Sequence, residues 1–462
     1  MTGPSRTTTT INPATGEAME EFAYLDAAGR EAALARAQAG FEAWRELDVT
    51  ARGDVLRRVG AYFRDHADDF ACTITCEMGK PIKQAAAEVT KCADLCDWYA
   101  EHGPALIADE PTEIAGEKAY VSFLPLGVVF AVMPWNFPLW QVMRGAVPIM
   151  LAGNGFLLKH SANVLRCAHN IADAFAAAGA PERAFSLFTI EHDAMPATVA
   201  DKRVAAVTLT GSVRAGAAVA AEAGRNIKKS VLELGGSDPF IVLADADLDA
   251  AVAAAVQARF QNTGQICIAA KRIIVEEAVA DDFTARFVEQ VKALKLGDPA
   301  DEATYVGPMA RRDLRDELDR QVAETVAEGA TLVMGGHAAG DEAGNWYAPT
   351  VLTGVKPGMT AFRDETFGPV AAIIVAADAE AAVALANDSD YGLSGAIWSA
   401  DEALAQRLAR RLETGGVFIN GFAASDPRTP IGGVKHSGYG RELSHFGIRE
   451  FTNAQVVWKD RR

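Results

Sequence analysis

The run Gln261-Asn262-Thr263-Gly264-Gln265-Ile266-Cys267 sets one cysteine at the end of a polar turn that contains a glycine. A thiol attacks strongly only as the thiolate, and backbone N–H groups near a helix end or turn help to hold that charge. Upstream, Val231-Leu232-Glu233-Leu234-Gly235-Gly236-Ser237-Asp238-Pro239-Phe240 places a lone carboxylate, Glu233, in an apolar strand-like run before two glycines. Burial disfavours the charged carboxylate, so Glu233 is a candidate base near neutral pH. Each residue also has a plainer reading. A lone cysteine is usually a small buried apolar residue, and a glutamate beside Gly-Gly is usually a turn residue. A third stretch, Gly211-Ser212-Val213-Arg214-Ala215-Gly216, follows the strand-like run Val204 to Thr210. Strand, glycine and helix in that order set backbone N–H groups and a helix N-terminus against a pyrophosphate. The spacing is not G-x-G-x-x-G, so by itself it is weak evidence for a dinucleotide.

The elements that must position these groups are legible around them. Leu248 to Phe260 is Ala-rich and reads as a buried helix running into the cysteine turn, with Asp245 and Asp247 as caps at its start. Gly127 to Met133 is a continuous apolar, β-branched run, which suits a central parallel strand. It delivers Pro134-Trp135-Asn136-Phe137-Pro138, where two prolines stiffen the backbone around Asn136. The plain reading there is a turn whose Asn bonds its own backbone. Gly155 to His160 is a short strand ending in a cation, Lys159. Phe240 to Leu243, Lys271 to Val275, Ala371 to Val375, Ser394 to Trp398 and Gly416 to Asn420 read as further strands. Gly29 to Ala100 is mostly helical, with Phe41, Trp44, Leu56, Val59 and Phe63 at three-to-four spacing. Glu113 to Leu126 and Gln455 to Lys459 read as strands, Ile11 to Glu17 as a turn, and Asp364 to Pro369 as an acidic loop.

At 462 residues, half of them apolar, the chain predicts two or three domains of a compact α/β protein. A net charge of −17 and a pI near 5.0 argue against non-specific binding to nucleic acid or anionic membrane. A small basic site can still be buried within an acidic protein. The opening Met1 to Arg6 and its four threonines lack the apolar core of a signal peptide. No apolar run reaches the ~18 residues of a membrane span. A cytoplasmic protein is expected. Cys72, Cys76, Cys92 and Cys96 form two C-x₃-C pairs, which helical spacing puts on single helix faces. Packing is preferred over zinc, and no H-E-x-x-H pattern occurs, so no metal is expected.

The Leu-Glu-Leu-Gly-Gly and Gly-Gln-Ile-Cys runs closely resemble the two signature motifs of the aldehyde dehydrogenase superfamily. The resemblance extends over the full length and keeps family order: Asn136, Lys159, Gly211-Ser212, Glu233, Cys267, Glu365 and Pro430-Ile431-Gly432-Gly433. It implies a Rossmann-like cofactor domain over 1–106 and 126–235. It also implies an α/β catalytic domain over 236–451, whose C-terminal part is left free to return to the first domain. A small β oligomerisation element over 107–125 and 452–462 completes the fold, with a homodimer or homotetramer as the assembly. It further implies that Cys267 attacks an aldehyde, that Asn136 and a backbone N–H hold the oxyanion, and that Glu233 activates water against the thioester. The cofactor set it implies is Trp135, Lys159, Ser161, Ala162, Gly211, Ser212, Gly216, Glu365 and Phe367. Lys159 would meet the adenosine ribose, Glu365 the nicotinamide ribose and Phe367 the nicotinamide ring.

Within the superfamily the chain is most similar to bacterial succinate-semialdehyde dehydrogenases. Arg144 stands eight residues after Asn136, where semialdehyde enzymes carry an Arg for the substrate carboxylate. Trp140, Arg144, Gln261, Ser425 and Arg428 form the implied substrate set, with Arg144 as the one cation that the pattern places in the tunnel. Two departures stand out. A second Arg found in some relatives six residues before the nucleophile is Gln261 here, and a second Cys two residues after it is Ala269. Arg428 is a candidate to restore the missing charge. Strict NAD enzymes often carry a Glu three residues after the cradle lysine. Here that position is Ala162, so nothing repels a 2′-phosphate, and NAD or NADP is expected. A dehydrogenase for another aldehyde, such as glutarate semialdehyde, remains the nearest alternative. A cysteine hydrolase would need a His partner that no motif supplies, and an inactive scaffold would leave the complete motif set without a purpose.

Overall fold

The computed structural model describes residues 6–114, 117–340 and 343–459. Residues 1–5 of the opening segment, 115 and 116 of the run Glu113 to Leu126, and 460–462 of the terminal strand segment lie outside the described residues. Among the described residues, two open sheets carry the architecture. The first has six strands in the spatial order Gly438–Tyr439, Lys229–Glu233, Val204–Thr210, Val128–Met133, Gly155–His160 and Phe185–Leu187. All neighbours in it are parallel except the Gly438–Tyr439 edge. The second has seven: Thr331–Met334, Thr350–Thr353, Val370–Ala376, Ala270–Glu276, Asp238–Val242, Ser394–Trp398 and Gly416–Ile419. Only the pairing of Thr331–Met334 with Thr350–Thr353 is antiparallel. Parallel strands need helical crossovers that cover both faces, which is why Val128–Met133 and the run Phe240 to Leu243 are unbroken and apolar.

The core follows from those runs. Val129, Phe156 and Leu158 pack with the helices Val49–Asp65, Ile82–Leu106 and Trp140–Leu151. A separate cluster around Ile274, Ile374 and Ile397 lies in the second sheet. Cys92 and Cys96 sit buried on one face of the helix Ile82–Leu106. Cys76 is half-buried on the helix Ala67–Met78, whereas Cys72 on that helix faces solvent and does not pack.

A third sheet joins Thr452–Lys459, Glu117–Pro125 and Glu110–Ile114, all antiparallel. It stands apart from the two main sheets and leaves Val456 and Trp458 exposed. Large apolar side chains left in water on a strand are unusual unless something covers them. The C-terminal segment also returns to the first sheet, where Gly438 and Tyr439 pair with Glu233 and Leu232. Among the described residues, no helix is long and apolar enough to cross a membrane.

Candidate active site

The helix Leu248–Phe260 begins at Asp247, whose side chain accepts the Ala250 N–H at 3.1 Å. Asp245 instead holds the second sheet's neighbourhood together through Ser399 Oγ and the Asp401 N–H. The helix ends in a tight turn, Gln261–Gly264, where Asn262 and Thr263 adopt φ of 52° and 57°. Left-handed backbone is rare for a β-branched residue and persists only where the surroundings over-determine it. Here they do. Thr263 Oγ1 donates to Gly307 O at 3.2 Å and accepts its N–H at 3.1 Å. Gln265 Oε1 accepts the Ala310 N–H at 2.9 Å. Cys267 follows this turn and is not at a helix N-terminus. Enclosure pushes its thiol up to about 11, against the opposing pull of Arg144 and Lys271. Burial thus works against the thiolate that the turn favours.

Asn136 meets this turn directly. Its Nδ2 donates to Gln265 O at 3.0 Å, and its carbonyl accepts Asn262 Nδ2 at 2.9 Å. An amide nitrogen carries two N–H groups, and one is spent on the backbone two residues before the thiol. Glu233 ends the strand Lys229–Glu233. Its carboxyl is buried, Oε1 has no hydrogen-bond partner, and burial raises it to about 8. Its charge and that of Cys267 act on each other. Gly432 lies over it: a Cβ at that position would come within 2.8 Å of Oε1. The sequence marks Pro430 to Gly433 only as a family run, and this close approach gives its glycine a physical reason.

A cavity of about 740 Å³ opens beside the first sheet, lined by Pro134, Trp135, Lys159, Ser161, Gly211, Ser212 and Arg214 among others. Ser212 caps the helix Val213–Arg225, accepting the Ala215 N–H at 3.3 Å. Gly216 lets that helix close on the strand, since a Cβ there would sit 2.5 Å from Leu234 Cδ2. The Gly211 N–H is already donated to Glu233 O at 2.9 Å, so it is not part of the cradle. Lys159 makes no hydrogen bond or salt bridge to the described residues, and burial lowers it to about 8. Its ammonium lines both this cavity and a neighbouring one that contains Ala162. An unpaired cation, a capped helix N-terminus and an apolar wall suit a dinucleotide in size and charge.

Toward Cys267, Phe367 stands edge-on to Trp135, with ring centres 5.7 Å apart. Glu365 Oε1 accepts the Gly236 N–H at 3.1 Å and pairs with Lys271 at 3.2 Å. Lys271 also donates to Ile266 O at 2.8 Å and Cys267 O at 2.6 Å. This buried lysine fixes the backbone of Cys267 itself, and no motif in the sequence singles it out.

A second cavity of about 290 Å³ reaches Cys267 from the other side. Trp140, Arg144, Gln261 and Ser425 line it, together with Phe137, Ile266, Ile268 and Phe422. Lys91 lines it too, a cation absent from the sequence reading. Its Nζ lies 4.1 Å from the centre of the Trp140 ring and donates to Ser425 Oγ at 2.8 Å. Arg428 does not line this cavity. It is exposed and held by Asp426 at 2.7 Å, on an outer cavity that it shares with Lys91 and Ser425. The expectation that Arg428 replaces the missing tunnel charge is thus corrected: its nearest carboxylate neutralises it in water.

The comparisons agree with this geometry. The aldehyde dehydrogenase family profile matches residues 1–457. Succinate semialdehyde dehydrogenase, NAD(P)+, Sad, of Escherichia coli (strain K12) is 58% identical over 458 residues, 99% of each chain. A succinate-semialdehyde dehydrogenase, NADP(+), of Mycobacterium avium (strain 104) is 48% identical over 453 residues, covering 97% of this chain and 96% of that one. The crystal structure of succinic semialdehyde dehydrogenase from Streptococcus pyogenes, in complex with NADP+, superposes with a TM-score of 0.95 at 38% identity. That match covers 98% of this chain and 99% of the other. On a profile match from residue 1 to residue 457 and relatives this similar along their whole length, the chain belongs to the aldehyde dehydrogenase family.

Proposed function

We propose that the protein oxidises succinate semialdehyde to succinate with NAD+ or NADP+. The observation that carries this reading is the shared cavity of Cys267, Arg144 and Lys91: a thiol in an apolar-walled pocket lined by two cations. The names of the relatives above support it. In the reaction, Cys267 Sγ adds to the aldehyde carbon, and its proton passes to a base. The remaining N–H of Asn136 Nδ2 is the donor for the new oxyanion, fixed in advance by the Gln265 and Asn262 contacts. Bound nicotinamide dinucleotide supplies the hydride acceptor. Glu233 then takes a proton from water as the oxygen attacks the thioester, and the acid leaves with Cys267 restored as a thiol.

Lys159, Ser161, Ser212 and the helix N-terminus at Val213 are the proposed hold on the dinucleotide, with Glu365 and Phe367 at its nicotinamide end. Residues 1–106 and 126–235 form the proposed cofactor domain and 236–451 the catalytic domain, its C-terminal part pairing back to the first sheet. Residues 107–125 and 452–462 form the proposed oligomerisation element of a homodimer or homotetramer, which the exposed Val456 and Trp458 support. A cytoplasmic location belongs to the same proposal. The test is initial-rate oxidation of succinate semialdehyde, glutarate semialdehyde and butanal with each cofactor, followed by the absorbance of reduced nicotinamide. The reading predicts the highest kcat/KM for succinate semialdehyde. Higher values for an uncharged aldehyde would overturn it.

A further inference from the structure

The two cations of the Cys267 cavity are not equivalent. Arg144 is buried and bonded through Nε to Glu442, and it lies within electrostatic reach of Glu233 and Cys267. Its Nε is therefore committed to Glu442, while its Nη2 has no partner. Lys91 makes no salt bridge among the described residues. It lines the Cys267 cavity and also the outer cavity of about 830 Å³, as do Trp140 and Ser425, whereas neither Cys267 nor Arg144 lines the outer one. Lys91 thus stands at the junction between the tunnel and its mouth. An aldehyde whose carbonyl meets Cys267 in this cavity has Lys91 in the same walls. Glu88 and Asp426 act on the Lys91 charge without forming a salt bridge, so the ammonium can still pair with an anion.

We propose that Lys91, seated on Trp140 and hydrogen-bonded to Ser425, is the residue that takes the distal carboxylate of the substrate. This assignment rests on the succinate-semialdehyde reading. Arg144 then acts at the inner end, near the thiol and the oxyanion, and Lys91 supplies the charge absent at Gln261. It reaches the tunnel from a helix, Ile82–Leu106, that carries none of the motif residues. Ser425 orients the ammonium, and the Trp140 face keeps it pointed along the tunnel.

The experiment compares wild type, Lys91→Met and Lys91→Arg with succinate semialdehyde and with butanal. Losing a charge-assisted hydrogen bond should lower the semialdehyde-to-butanal ratio of kcat/KM by roughly ten- to a hundred-fold in Lys91→Met. The loss should fall chiefly on KM, inhibition by succinate should weaken by a similar factor, and Lys91→Arg should recover most of the ratio. If Lys91→Met fails to fold, Lys91→Gln takes its place, because it removes the charge and can still bond Ser425. An unchanged ratio with unchanged succinate inhibition in a folded variant would overturn the assignment, as would an Arg variant as impaired as Met. A wild type with no preference for the charged aldehyde would instead overturn the reading on which it rests.

Discussion

Arg144 donates through Nε to Glu442, 298 positions further along the chain, and both side chains are almost wholly buried. Arg144 Nη2 and Glu442 Oε1 remain without partners. Removing one member of a buried pair leaves the other charge uncompensated, which costs about 3–5 kcal/mol. Arg144→Leu should therefore lower the denaturation midpoint as well as activity, and Arg144→Leu with Glu442→Leu should recover much of the stability. Urea unfolding of the single and double variants measures this. A double variant no more stable than either single one would deny the coupling.

Cys267→Ala should abolish aldehyde oxidation while cofactor binding, read by fluorescence titration, stays near the wild-type value. The turn that carries the residue is held by Thr263, Asn262 and Gln265, not by the thiol itself.

Glu233→Gln should allow one round of hydride transfer and then stall, giving a burst equal to the enzyme concentration before slow turnover. The base form is the deprotonated carboxylate, and burial raises Glu233 to about 8. Wild-type turnover limited by hydrolysis should accordingly rise with pH through that region. Loss of that rise in Glu233→Gln, seen by stopped flow across pH, identifies the group.

Lys91 makes the two aldehydes diverge with pH. Burial and then the charge of Arg144 lower it to about 8, while Cys92, Glu88 and Asp426 pull the other way. Asp94 and His102 line the outer cavity on the same helix. The protonated form binds a carboxylate, so KM for succinate semialdehyde should climb as pH passes about 8. KM for butanal should stay flat there. Parallel profiles for both substrates would separate Lys91 from the carboxylate.

Ala162→Glu should weaken NADP much more than NAD, because it sets a carboxylate in the cavity wall shared with Lys159. Dissociation constants for the two cofactors give the answer. Equal weakening would mean that position 162 does not face the ribose.

The local parts of the site were legible because each is written in adjacent residues. The helix Leu248–Phe260, the Cys267 turn and the strand ending at Glu233 can all be read within a dozen positions. Lys91 was not, since its partner Ser425 lies 334 positions away and only the packing of the helix Ile82–Leu106 brings them together. Lys271 was hidden for another reason. It sits at the start of the strand Ala270–Glu276, beside Arg272, and it bonds carbonyls, for which sequence has no signature. Arg428 shows the reverse failure: a cation at a suggestive position whose near neighbour Asp426 claims it.

Glu233 is enclosed by the far end of the chain, through Gly432 above its carboxyl and the Gly438–Tyr439 pairing along its strand. This orders events during synthesis. Chains emerge N-terminus first and fold as they go, so the first sheet can form while its edge beside Glu233 is still bare. Until that segment arrives, Glu233 lacks this cover. A C-terminally clipped chain should thus keep the Cys267 turn while Glu233 loses its enclosure.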